Sequence, residues 1–104
     1  MNYTKDITIK IESDYGIKSP EVIGLIDAAT YKADYLNVDR IIRCILFLAD
    51  KDIDKLKKFL EAATKDPRDV MYWAEYINHD QFDKIKRIRD FSKSFEDAEK
   101  DVQE

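Results

Sequence analysis

The stretch that decides the fold runs from Val38 to Ala49, VDRIIRCILFLA. Wound as a helix, it spreads Ile41, Ile42, Cys44, Ile45, Leu46, Phe47 and Leu48 almost completely round its axis. A helix that is apolar on every side must be covered by other elements. Residues 38–49 therefore read as the buried central helix, with Asn37 placed to cap it. Its apolar run, Ile41 to Ala49, has nine residues and contains Arg43, whereas a membrane span needs about 20. No segment is expected to cross a bilayer.

Working outward toward the N-terminus, Ser19-Pro20-Glu21 opens a helix expected over about 20–36. Ser can cap the free amides, Pro suits the first helical position and Glu favours the positive end of the dipole. Val22, Leu25, Ile26, Ala29, Ala33 and Leu36 form its inward stripe, with Tyr31 and Tyr35 on roughly the far side. Before it, Thr4 to Glu12 alternates Ile7, Ile9 and Ile11 against Thr8, Lys10 and Glu12, a period of two with β-branched residues that predicts one strand over 4–12. Such a strand must find a pairing partner, in this chain or another.

Toward the C-terminus, a helix is expected over 52–65, with Ile53, Leu56, Phe59, Leu60 and Ala63 on one face. Asp50, Asp52, Asp54 and Glu61 coincide with the first, third, fifth and twelfth positions of a calcium loop, but Lys55 stands where the sharp turn needs Gly. Acids at a helix start are the simpler reading. Asp66-Pro67 repeats the cap-then-proline opening for a helix over 67–77, whose Tyr72, Trp73 and Tyr76 make an aromatic ledge. Phe82, Ile85, Ile88, Phe91 and Phe95 recur every three or four residues, predicting a further helix over 80–93. It would turn Lys84, Lys86, Arg87, Arg89 and Lys93 outward as a basic stripe. The rival reading makes 84–91 an extended segment, the mate of the N-terminal strand. Residues 96–104 have little to bury and read as an acidic, frayed tail.

The fold class is thus mostly α, a compact four- to five-helix bundle with one short N-terminal β-strand. With 104 residues, 44% hydrophobic and 38% charged, the chain suits a single helical domain over 1–95. One Cys and one His cannot make an internal disulfide or a structural zinc site. With only Gly16 and Gly24, no glycine-rich phosphate cradle is possible. Residues 1–93 hold 17 acids and 17 bases, so the net charge of −4 comes from the last eleven residues. A general polyanion-binding surface is therefore disfavoured. The first fifteen residues carry acids and lack a secretory pattern, which reads as cytoplasmic.

Function follows by subtraction. Cys44 sits in an apolar run, and His79 in a loop is the only imidazole, so no nucleophile, base and orienting group align. The expectation is a small non-enzymatic protein-interaction module without cofactor, binding a protein partner or itself as a homodimer. The candidate interface is Ile7, Ile9 and Ile11, through strand addition, together with Tyr72, Trp73 and Tyr76. The alternatives are a nucleic-acid-binding domain using the basic residues of 84–93, and a small acidic inhibitor or immunity-type protein using the acid-rich tail.

Overall fold

The cover that the central helix demands comes from four further helices and a C-terminal segment that is not helical. The computed structural model describes residues 3–100. Its helices are α1 (Lys5–Tyr15), α2 (Ser19–Lys32), α3 (Asp39–Ala49), α4 (Ile53–Lys65) and α5 (Pro67–Glu75). Two short strands follow, β1 (Tyr76–Ile77) and β2 (Lys86–Arg87), paired antiparallel with Tyr76 opposite Arg87 and Ile77 opposite Lys86. The chain is mostly helical and compact, with a radius of gyration of 13.5 Å against the roughly 13 Å of a well-packed chain this long.

α3 packs against α1, α4 and α5, and Ile41, Ile42, Cys44, Ile45, Leu46 and Ala49 are all buried. The expected capping chemistry acts at Asp66 but not at Ser19, whose hydroxyl donates instead to the Gly16 and Ile11 carbonyls, nor at Asn37, which precedes Val38, the residue flanking α3, where no side chain caps the helix. Asp52 accepts the Lys55 amide at the start of α4, and Asp66 accepts the Arg68 amide at the start of α5. Pro20 lies in the first turn of α2. That helix stops at Lys32, four residues short of the expected end, and Asp34–Leu36 forms a separate 3-10 turn that buries Leu36. α5 likewise ends two residues early, where Tyr76 turns into β1.

Both ends of the chain depart from the sequence reading. The expected strand over 4–12 is α1. Ile7 and Ile11 are fully buried while Ile9 is 53% exposed, which is helical spacing continued one turn later by the buried Tyr15. Three isoleucines two apart fit either period, and only the middle one distinguishes them. The helix satisfies its own backbone groups, so the pairing that a strand would require does not arise. Gly16 ends it with a φ of 52°, a left-handed conformation that suits glycine.

The expected helix over 80–93 is absent as well. Residues 78–85 form the loop of the β1–β2 hairpin, with a 3-10 turn at Phe82–Lys84. β2 is extended, in line with the rival reading, but its partner is β1 and not the N-terminal segment. Beyond it, Phe91 and Ala98 are buried with Cys44 and Ala74 in a small second core. Phe47 and Phe91 lie 5.3 Å apart between ring centroids, and Phe91 and Phe95 5.7 Å. Ala98 also accepts the Asp90 amide through its carbonyl. The frayed tail expected from residue 96 is thus packed as far as Ala98, and its end, 101–104, lies outside the described residues.

This segment is held by buried charge. Arg40 and Arg43, one turn apart on α3, each grip a carboxylate with two hydrogen bonds: Arg40 holds Glu75 at 3.0 and 2.5 Å, and Arg43 holds Asp6 at 2.9 and 3.1 Å. Each carboxylate in turn accepts an amide from the C-terminal segment, Phe91 N–H to Glu75 and Phe95 N–H to Asp6. Glu75 is 1% exposed. A charge so placed is tolerable only when paired and hydrogen-bonded.

Candidate functional site

α5 is positioned by its apolar face, since Val70 and Ala74 are fully buried. That leaves Trp73 on the outer side, 39% exposed, with its ring 6.2 Å from Phe59 of α4 in an edge-to-face contact. Two clefts adjoin it. One, of about 390 Å³, is lined by Leu48, Lys58, Phe59, Trp73 and His79. The other, of about 310 Å³, is lined by Lys58, Glu61, Ala62, Lys65, Asp69 and Trp73. Trp73 and Lys58 border both, and the Lys58 ammonium sits 5.5 Å from the Phe59 ring centre.

Tyr72 and Tyr76 stack 5.4 Å apart, and the His79 ring lies 4.8 Å from Tyr72. His79 Nε2 is 3.2 Å from the Tyr72 carbonyl oxygen. The only imidazole is therefore part of an aromatic surface. Further along the same hairpin, Phe82 stands 92% exposed, with Asp80 and Asp83 exposed on either side. An apolar ring so fully in water is a costly exposure. The loop is shaped by Asn78, which adopts a left-handed φ of 59° and donates its side-chain amide to the Lys84 carbonyl.

The structure distributes the residues of the expected interface differently. Trp73 is partly exposed against Phe59, while Tyr72 and Tyr76 are half-buried against each other and His79. Ile7 and Ile11 are core residues, leaving only Ile9 exposed in that set. The basic stripe is dismantled. Arg87 lies 2.9 Å from Asp90 and 3.6 Å from Glu75, while Arg89 bonds Glu99 and the Ala74 carbonyl and covers the Phe47 ring at 4.4 Å. These two arginines fasten the C-terminal segment, and the exposed bases left are Lys84, Lys86 and Lys93. Phe59, Lys58 and Phe82 join the site without a sequence signal. Apolar spacing assigns Phe59 to the inward face of α4, where it is half-buried against the core, and nothing local marks Phe82 as exposed.

Other sites have less to offer. Cys44 is buried, and burial followed by the charge of Glu75 pushes its thiol well above the ordinary cysteine range, which keeps it protonated and unreactive. A polar groove of about 420 Å³ between the ends of α1 and α4 includes Asp14, Tyr15, Asp52 and Asp54. Among the described residues no group of three or more His, Cys, Asp or Glu is disposed to hold a metal ion. Likewise no helix there is long and apolar enough to cross a membrane. Compared with family models, curated proteins and solved structures, the chain matches none.

Proposed function

We propose that this chain is a small non-enzymatic protein-binding module whose contact surface is the aromatic cleft around Trp73. The observation that carries this reading is the partly exposed indole standing between two clefts, backed by Phe59 and rimmed by Lys58. Tryptophan beside a mainly apolar cleft, with a charged one adjoining, is a typical anchor of protein contacts, because it offers a large area and loses little side-chain freedom on binding. The charge on Lys58 favours a partner segment that brings a carboxylate beside its apolar side chain.

Random peptides can stand in for the partner in a test. A phage-displayed library of short peptides panned on the immobilised full chain should enrich sequences that pair an aromatic residue with an acid, and these should bind Trp73→Ala and Lys58→Glu at least tenfold more weakly. The reading is overturned if nothing is enriched, or if the enriched peptides bind both variants as they bind the parent.

A further inference from the structure

Resting on that reading, we infer that the occupant of the Trp73 cleft is Phe82 of a second copy of the same chain. Phe82 is an apolar ring left almost wholly in water, and it belongs to a hairpin loop whose earlier residue, His79, already lines the cleft. Donor ring and acceptor cleft are therefore tied to one hairpin, the ring three residues beyond a residue that lines the cleft. A two-fold axis between two copies would then seat both rings at once, since a self-complementary patch needs its two halves side by side. Within one chain the ring is not seated, as its exposure shows.

The charges agree. Phe82 is flanked by the exposed acids Asp80 and Asp83, and the cleft is rimmed by Lys58, with Lys65 on the adjoining cleft. An entering hairpin loop brings carboxylates to ammonium groups while its ring meets Phe59, Leu48 and Trp73. The next base along the hairpin, Lys84, has acids to meet as well, since Glu61 and Asp69 line the second cleft. A contact built on one ring from each copy is small, so the association belongs to the weak class, with a Kd on the order of 10–100 µM.

Sedimentation velocity on the full chain from about 5 to 500 µM tests this, read beside the emission of Trp73, which is the only tryptophan. The parent should pass from monomer to dimer over that range, with the emission shifting to shorter wavelength as the indole is covered. Phe82→Ser removes an exposed side chain and should leave the thermal midpoint unchanged while weakening association at least tenfold. Lys58→Asp and Asp83→Lys should each weaken it, and their combination should recover much of the loss. A parent that stays monomeric throughout, or a dimer indifferent to Phe82→Ser, overturns the inference. If peptides still select the cleft in the panning experiment, the binding-module reading survives with a foreign occupant. If they do not, both fall.

Discussion

Arg43 and Asp6 form a two-pronged ion pair, Nε to Oδ2 at 2.9 Å and Nη2 to Oδ1 at 3.1 Å, that joins the central helix to the first turn of α1. The same guanidinium donates to the Phe91 carbonyl at 3.1 Å and to the Thr4 hydroxyl at 3.3 Å. One side chain of α3 thus ties together three stretches of chain that share no secondary structure. Among its described residues the C-terminal segment has only the brief β2 of its own, so its position depends on these contacts and on Phe91 entering the second core. The hairpin that carries Phe82 and His79 is held on that side by β2 and by the Ile88 and Arg89 amides, both donating to the Glu75 carbonyl.

Stability should fall in acid through Asp6. Burial pushes its pKa upward, but the hydrogen bonds from Arg43, Thr4 and the Phe95 amide outweigh that and hold it at about 2. A carboxylate with a lowered folded pKa stabilises the fold above its unfolded value of roughly 3.9 and loses that contribution as the pH drops to about 2. The loss should be about 2 kcal/mol. Urea unfolding at pH 6 and at pH 2.5 measures it. Asp6→Asn should cost about 3 kcal/mol at pH 6, because Arg43 is left buried without a counter-charge, and should remove most of the loss seen below pH 4. An unchanged acid profile in that variant would show that the pair does not carry it.

Glu75→Gln should loosen the same segment from the other side. It removes the charge that holds Arg40 and weakens the acceptor of the Phe91 amide, at an expected cost of about 2–4 kcal/mol. Native-state hydrogen exchange can tell the two clamps apart. The Phe91 amide should exchange faster in Glu75→Gln, and the Phe95 amide faster in Asp6→Asn. Both variants release one segment, so the double variant should be destabilised by less than the two single costs together. Full additivity would mean that the clamps act on independent parts of the chain.

The helix over Lys5–Tyr15 makes an unequal prediction for three isoleucines that look equivalent. Ile7→Ala and Ile11→Ala should each cost about 2–5 kcal/mol, since both side chains are fully enclosed. Ile9→Ala should change stability by no more than about 0.5 kcal/mol. Thermal or urea unfolding of the three variants suffices, and three similar costs would restore the strand.

How much of the fold is legible in the sequence follows the range of the interactions. α3, α4 and α5 are legible because apolar spacing repeats within each element, and because Asp52 and Asp66-Pro67 mark the starts of α4 and α5 locally. Ile7, Ile9 and Ile11 mislead because a strand and a helix predict the same burial for the outer two. The C-terminal apolar residues keep a helical spacing, yet their backbone is held by partners distant in sequence: Glu75 is sixteen residues from Phe91, and Asp6 eighty-nine from Phe95. No local pattern carries that. One signal is present, however. Arg43 interrupts the otherwise apolar run from Ile41 to Ala49, and a guanidinium in such a place requires a carboxylate partner somewhere in the chain. Trp73 with its two tyrosines is visible as a ledge, while the clefts beside it depend on how α4 and the hairpin meet.

The Tyr15 hydroxyl offers a test in the opposite direction of pH. It is buried with no hydrogen-bond partner among the described residues, and burial, then the charges of Asp14, Asp52 and Asp50, pushes its pKa up to about 12. For a phenol, a raised folded pKa means that the neutral form is the one the fold accepts. Stability is therefore intact below the unfolded value of roughly 10 and lost as the pH climbs to about 12, by about 2–3 kcal/mol. Tyr15→Phe should be more stable than the parent by about 1 kcal/mol at pH 7, since it deletes an unsatisfied polar group without opening a cavity. Its advantage should widen above pH 10, although Tyr3, whose pKa is also raised by burial and by its bond to Asp27, will leave some alkaline sensitivity behind. Unfolding in urea at pH 7 and pH 11 measures both effects. A Tyr15→Phe variant less stable than the parent at pH 7 would mean that the hydroxyl has a partner in solution, with the polar groove beside Asp52 the place to look for it.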